Sequence, residues 1–325
     1  MHAIQLHDFG PADNLRYDEL PDLAPAPGQV RVAVGASGVH LVDTTIRRGE
    51  PGPFPLPELP TVPGREVGGT VDQVGDGVDE TWLGRRVVAH LGPVPGGYAD
   101  QAVTDVANLI EVPEHVGIAD AVAALGTGRT ALGVLELEPP GPADTVLVPS
   151  AAGGLGSLLV QSALKVGAQV VAAAGGADRT AALAELGATM VVDYSRPGWA
   201  DEVRERFDGV SLVYDGVGGD VGRSALELLR PGGRLVMFGY SSGAVTSFDG
   251  TDLVSRSLSA GWSLGPRMLS LPGGIRGLAE RAVAKVAAGE WRPLVTTYPL
   301  ADAARAHADL EGRRILGKLV LVSQR

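Results

Sequence analysis

The stretch Thr145 to Thr180, TVLVPSAAGGLGSLLVQSALKVGAQVVAAAGGADRT, reads as a strand, a glycine-rich turn, a helix and a second strand. Thr145 to Pro149 is a short apolar run of the kind buried on both faces of a parallel sheet, and the turn Ala151-Ala152-Gly153-Gly154-Leu155-Gly156 follows at once. Ala151 stands where the usual fingerprint begins with glycine. Gly153 lets the backbone approach a pyrophosphate, and Gly156 lets the helix pack against the strand. The helix then offers unpaired N–H groups and a partial positive charge to phosphate. Leu155, Leu158, Leu159 and Val166 recur at helical spacing, and Gly167 is a natural carboxyl cap. This context points to a dinucleotide site over Ala152, Gly153, Gly154, Leu155 and Gly156.

Which dinucleotide depends on the end of the second strand, Gln169 to Ala174. NAD sites usually carry an acidic residue there, to receive the ribose hydroxyls. This strand runs instead into Gly175-Gly176-Ala177, with Asp178 slightly late and Arg179 beside it. A guanidinium pairs with a 2′-phosphate through charge-assisted hydrogen bonds. Gly176, Arg179 and Tyr194, which follows a third strand (Met190 to Asp193), are therefore expected around the adenosine, and NADPH is expected over NADH.

The 325 residues, 45% of them hydrophobic, suffice for a sizeable core and two domains. A net charge of −11 argues against non-specific binding to nucleic acid or to an anionic membrane surface. With no cysteine there is neither a disulfide nor a thiolate ligand, and the six histidines are scattered without metal-ligand spacing. No apolar run is expected to reach the roughly 18 residues of a membrane span, and MHAIQLHDFG lacks the marks of a signal peptide. The expected location is cytoplasmic.

The first 120 residues read as short strands between Gly and Pro punctuation, clearest at Gln29 to Val34, Val67 to Val74 and Arg85 to His90. Gly49 to Pro63, GEPGPFPLPELPTVP, is too rich in proline for a central strand or helix and reads as a loop. From about Ala119, helices and apolar strands alternate through Gly239, which implies a parallel sheet covered by helices on both faces. A helix over Gly277 to Ala288, a short helix after Pro299 and a strand over Lys318 to Val322 complete the chain, and the last strand is placed to return to the first domain.

Several segments in the same order resemble the zinc-independent quinone oxidoreductase branch of the medium-chain dehydrogenase/reductase superfamily. They are Ala36-Ser37-Gly38-Val39-His40-Leu41-Val42-Asp43-Thr44, Pro63-Gly64-Arg65-Glu66-Val67-Gly68-Gly69, Gly96-Gly97-Tyr98-Ala99, the AAGGLG turn, Tyr214-Asp215-Gly216-Val217-Gly218, Gly232-Gly233-Arg234 through Gly239, and Gly317-Lys318-Leu319-Val320-Leu321. The resemblance spans nearly the whole chain. It implies an α/β protein with a Rossmann doubly wound parallel sheet, residues 121–261, and a GroES-like, mostly β catalytic domain, residues 1–120 and 262–325. It also implies an active site in the cleft between them, nicotinamide contacts from Val217, Phe238, Gly239, Ser241 and Lys318, and a homodimer formed by edge-to-edge sheet pairing near Ser257 to Leu264.

Zinc alcohol dehydrogenases of the superfamily place a cysteine at the position of His40 and a histidine at that of Arg65. Their structural-zinc loop falls near Leu91 to Gly97, which here is only LGPVPGG. The resemblance therefore implies no zinc, although His40 and Glu66 remain a conceivable metal pair. Without a Lewis acid the favoured reaction is hydride transfer from NADPH to an already electrophilic acceptor, a quinone or another α,β-unsaturated carbonyl. An enoyl or alkenal reductase of a biosynthetic pathway is an alternative, and so is a dinucleotide-binding sensor with little turnover.

The candidate catalytic residues are His40, Asp43 and Thr127. His40 stands where this branch usually has asparagine, and an imidazole titrating near neutrality can donate a proton to the acceptor oxygen or be a satisfied core group. Asp43 can instead cap the turn Thr44 to Arg47. The tyrosine often found two residues after this aspartate is Thr45. Thr127 lies where a helix can reach the nicotinamide ribose.

Overall fold

A computed structural model describes residues 1–51, 55–92 and 96–323. Parts of the Gly49–Pro63 and Leu91–Gly97 expectations fall on residues 52–54 and 93–95 and lie outside the described residues. The chain forms two compact units, Met1–Thr127 with Ala279–Arg325, and Gly128–Leu278. Both boundaries fall later in the chain than residues 120 and 261. The helical run from Ile118 crosses the first, and a helix at Gly274–Ala287 crosses the second.

The second unit is built on six strands, Met190–Asp193, Gln169–Ala174, Thr145–Val148, Val210–Asp215, Leu229–Met237 and Ser259–Trp262, hydrogen-bonded in that order and all parallel. Numbered by chain order within the sheet, the spatial order is 3-2-1-4-5-6, the Rossmann arrangement. The central strands Thr145–Val148 and Val210–Asp215 are buried at every residue. That explains their unbroken Val, Leu and Tyr runs, where alternation would have marked a strand with one wet face. Burial of each such side chain contributes about 1.5–3 kcal/mol.

Leu229–Met237 begins five residues before the expected start at Arg234 because a register shift opposite Val210 and Leu212 takes up Pro231-Gly232-Gly233. Ser259–Trp262, where the resemblance puts a sheet edge but the residues themselves mark no strand, is the last strand of this sheet. Its Ser-Ala-Gly-Trp composition carries almost no strand signal.

The first unit holds a sheet in the order Val295–Pro299, Lys318–Val322, Gln29–Gly38, Glu66–Val74, Arg86–His90 and Leu109–Glu111, with Gln101–Asp105 also pairing to Gln29–Gly38. The terminal strand does return to it, antiparallel to Gln29–Gly38, with Val320 opposite Gly38. A helix, Ile118–Ala123, lies on this sheet. A Cβ at Gly68 would come within 2.7 Å of Val122, so the glycine is what lets helix and strand approach. The helix continues through a π-helical turn, Ala124–Gly128. Such turns often mark functional positions.

The continuous helical run Ile118–Leu137 is 20 residues long and apolar enough, by length and composition alone, to cross a membrane; most of it is buried in the fold, as a core helix is.

Candidate functional site

In the second unit the carboxyl ends of the strands gather the residues expected around a dinucleotide. Thr145–Val148 leads into a turn in which the Gly153 N–H donates to Ser150 O (3.0 Å) and the Ala151 N–H to Ala173 O (3.1 Å). The helix Gly154–Lys165 starts from Gly153 without a side-chain cap, which leaves its first amides to an incoming acceptor. A Cβ at Gly156 would lie 2.0 Å from Ser150 O, a backbone atom that cannot swing aside.

The second strand ends at Ala174, which is buried, and the chain continues with Gly175 and Gly176 where an NAD site would carry an acidic residue. Gly175 packs against the Tyr194 ring, where a Cβ would meet it at 2.9 Å, and Gly176 has φ +96°. Asp193 Oδ1 accepts the Gly176 N–H (2.9 Å) and the Ser195 hydroxyl (2.6 Å). Those hydrogen bonds, the Ser195 hydroxyl first, hold its carboxyl below the usual range. Arg179 follows in the first turn of the helix Ala177–Ala184, half-buried, with its Nε in no hydrogen bond among the described residues.

The turn after Val210–Asp215 is fixed by Asp215. Its buried carboxylate accepts the Val217 and Gly218 N–H groups, both at 2.9 Å, and the Thr246 hydroxyl at 2.5 Å. The Ser241 N–H donates to Gly216 O (3.2 Å), and the Phe238 N–H to Asp215 O (2.9 Å). Val217, Phe238, Gly239 and Ser241 thus lie on two loops that are hydrogen-bonded to each other.

The first unit assembles a different site. His40 ends the turn after Gln29–Gly38 and precedes the helix Leu41–Arg47. Its backbone N–H donates to Asp43 Oδ2 at 2.8 Å. The Tyr98 hydroxyl donates to the same oxygen at 3.2 Å and lies 3.2 Å from His307 Nε2. Burial, then the Asp43 charge, holds the Tyr98 phenol well above its ordinary pKa, so it remains a neutral donor. Burial, then the Arg47 charge, pushes His307 down to about 3, so its imidazole is neutral. An ionised carboxylate only accepts, and a hydroxyl has one proton to give. The chain therefore runs from His307 Nε2–H to Tyr98 to Asp43. Asp43 acts as a cap that fixes the His40 backbone.

The His40 side chain, one-third exposed, meets two charges. Nε2 lies 2.6 Å from Glu66 Oε2 and 2.8 Å from Lys318 Nζ, and Nζ is 3.4 Å from Glu66 Oε2. Glu66 and Lys318 side chains are 1% and 5% exposed. A Cβ at Gly126 in the π-helical turn would collide with Glu66 Oε1, so this glycine makes room for the carboxylate, and Thr127 is its neighbour. A cavity of about 60 Å³ borders Asp43 and Arg65, with Ile46, Pro55, Pro57 and Thr61 as further lining.

Residues 26–114 match the family described as alcohol dehydrogenase GroES-like domain, and residues 154–276 match the family described as zinc-binding dehydrogenase. A 2-haloacrylate reductase from a Burkholderia species is 32% identical, with 99% of each chain covered. The chain belongs to the zinc-independent quinone oxidoreductase branch of the medium-chain dehydrogenase/reductase superfamily. Among solved structures of the branch, that of Escherichia coli quinone oxidoreductase complexed with NADPH has a TM-score of 0.85 at 29% identity, covering 99% of this chain and 100% of that one. A mycobacterial protein complexed with NADPH has a TM-score of 0.84 at 34% identity, with the same coverage.

Within this oxidoreductase family the donor set at His40 does not fit zinc. Two ligands on one tetrahedral zinc, each bonded at about 2.0–2.2 Å, stand more than 3 Å apart. His40 and Glu66 touch at 2.6 Å, and the Lys318 ammonium borders both. Among the described residues no three His, Cys, Asp or Glu side chains form a metal-binding group.

Of the predicted catalytic residues, His40 and Asp43 are hydrogen-bonded neighbours, and Thr127 adjoins Gly126 beside Glu66. Lys318, expected in a cofactor-facing turn, is a buried partner of His40 and Glu66. The sequence reading missed Tyr98 and His307 as Asp43's supports. A signal existed for His307: on the helix Ala303–Glu311 it shares the apolar face of Ala303 and Ala306.

Proposed function

We propose that the protein is an NADPH-dependent reductase that transfers hydride to a quinone or another α,β-unsaturated carbonyl, without zinc, and that His40 supplies the accompanying proton. The observation that carries this reading is the direct His40–Glu66 contact beside Lys318. It puts a proton donor where the zinc enzymes of the superfamily place a metal ligand. NADPH would be held by Gly153, Gly156 and the helix amides at its pyrophosphate and by Arg179 at its 2′-phosphate, and it supplies the hydride on becoming NADP⁺.

The chain's own groups handle the proton. One imidazole nitrogen carries one hydrogen or one lone pair, so Nε2 cannot make hydrogen bonds to both of its neighbours. In the imidazolium Nε2–H pairs with the Glu66 carboxylate at 2.6 Å, and in the neutral ring the Nε2 lone pair accepts from Lys318, which can only donate. The proton given to the acceptor oxygen therefore leaves from Nε2 of the imidazolium: the Nε2–H bond breaks, an O–H bond forms, and neutral His40 keeps Nδ1–H and accepts from Lys318 at Nε2. The cavity beside Asp43 and Arg65 is offered for an apolar part of the acceptor. The 2-haloacrylate reductase likeness and the small Thr45 favour a conjugated carbonyl compound smaller than a flat quinone as the second reading.

Pairing of two copies through Ser259–Trp262 is part of the same proposal. That strand is the terminal one in its sheet, and Trp262 within it and Val254 in the helix that precedes it are exposed at 38% and 82%. Sedimentation as a monomer at micromolar concentration would remove this part.

The test is loss of NADPH absorbance with chelator-treated protein against quinones, enones, enals and haloacrylates, with NADH in parallel. Turnover that prefers NADPH and survives chelation is expected. Tight NADPH binding without turnover of any acceptor would replace the enzyme by a sensor.

A further inference from the structure

The contacts at His40 go beyond a histidine paired with a carboxylate. Two buried groups of opposite charge converge on one ring nitrogen, Glu66 Oε2 at 2.6 Å and Lys318 Nζ at 2.8 Å. They arrive from separate strands, Glu66–Val74 and Lys318–Val322, that flank Gln29–Gly38 on opposite sides. Among the described residues Asp43 is a further charged group at His40, its carboxylate bonded to the His40 backbone, and Arg65 precedes Glu66 in the chain.

We propose that Glu66 and Lys318 are positioning residues that set, with opposite sign, the pH at which His40 exchanges its proton. Both act through His40. Glu66 pairs with Nε2–H of the imidazolium and Lys318 donates to the Nε2 lone pair of the neutral ring, so Nε2 is the exchanging atom. The Glu66 charge favours the imidazolium. The Lys318 ammonium lies against the same edge of the ring and disfavours it, since a like charge at contact distance opposes protonation. It also attracts the Glu66 carboxylate and so holds the acceptor in place. The arrangement belongs to this chain's own residues, because it requires the histidine at position 40. Its part in catalysis rests on the reading of His40 as the proton donor; its effect on His40 does not.

The experiment is an NMR titration of the His40 ring in the ligand-free full chain, for the parent, Glu66→Gln and Lys318→Met, with circular dichroism to verify folding. Glu66→Gln is expected to lower the His40 midpoint and Lys318→Met to raise it, each by about one pH unit or more. Lys318→Arg, which keeps the charge, is expected to stay near the parent. Since each variant has a required sign, loss of one to misfolding leaves the other decisive. No movement, or movement in the wrong direction, overturns the proposal. The pH profile of kcat/KM on the same variants separates the two ideas: if it follows the NMR midpoints, His40 supplies the proton. If the midpoints move and the rate profile does not, the tuning stands and His40 as the acid falls.

Discussion

The turn at Gly153–Gly156 and the cluster at His40 are made in opposite ways. The turn is built of backbone, from residues adjacent in the chain, and it works because side chains are absent. The cluster is built of side chains from distant segments, with His40 and Lys318 separated by 278 positions, and it works because particular groups are present. The first should therefore be broken by adding atoms and the second by removing them.

The largest effect is expected from the smallest addition. In Gly156→Ala the new Cβ would lie 2.0 Å from Ser150 O and 3.0 Å from Ala151 Cα. No rotamer relieves a clash with backbone, so the turn or the helix start must move. The expected outcome is loss of measurable NADPH binding by calorimetry, together with a lower unfolding midpoint. Binding at the parent level would mean that helix and strand do not need the close approach seen here.

The next effect comes from the support of the first-unit site. In the unfolded chain the His307 imidazole takes a proton below its ordinary value of 6.5, whereas folding holds it neutral down to about 3. The stability it confers is whole above the unfolded value and declines as pH falls through that window, by about 1.4 kcal/mol per pH unit and roughly 5 kcal/mol in all. His307→Gln keeps a donor for Tyr98 and does not titrate. Urea unfolding across the acid range should therefore show a flatter decline for the variant than for the parent. Parallel curves would assign the acid sensitivity to other groups.

These two regions also differ in how far the sequence exposes them. The glycine turn is legible because everything it needs lies between Thr145 and Gly156, and its requirement for glycine appears as glycine. The strands Met190–Asp193 and Lys318–Val322 were legible to the residue because their apolar runs have sharp ends. Ser259–Trp262 was not, because an edge strand of small residues is held by its neighbour's hydrogen bonds more than by its own propensity. At the cluster, His40 and Asp43 were readable from one short segment. The partnership of His40 with Lys318 depends on strand pairing that only the folded sheet supplies, and that of Tyr98 with His307 on where the helix Ala303–Glu311 packs. Glu66 left a trace, a carboxylate entering the run Val67-Gly68-Gly69, but nothing local showed which cation would meet it.

Removal at the cluster comes third in size. His40→Ala deletes the proposed proton donor and leaves Glu66 facing Lys318, so the pocket keeps its charge balance. A positioned general acid typically contributes 10²–10⁴-fold, and a loss of about a hundredfold in kcat/KM is expected, mostly in kcat. A loss below about threefold would count against the role and would leave His40 as a packed polar residue.

The smallest effect is expected where the two designs meet, at a side chain placed beside a backbone phosphate site. Arg179 stands in the first turn of Ala177–Ala184, close to Gly176, with its Nε in no hydrogen bond among the described residues. In Arg179→Ala the glycine turn at Gly153–Gly156 is untouched, so the pyrophosphate and the adenine half common to both cofactors keep their contacts. Only the term that distinguishes NADPH from NADH is removed. A charge-assisted hydrogen bond at a partly exposed position contributes about 1.5 kcal/mol, so the ratio of kcat/KM for the two cofactors should fall about tenfold, with NADH nearly unchanged. An equal fall for both would make Arg179 a general support of the turn. An unchanged ratio would transfer the choice of cofactor from this side chain to the absence of a carboxylate at Ala174, which can be tested in turn by placing an acid at Gly175, next to the Tyr194 ring.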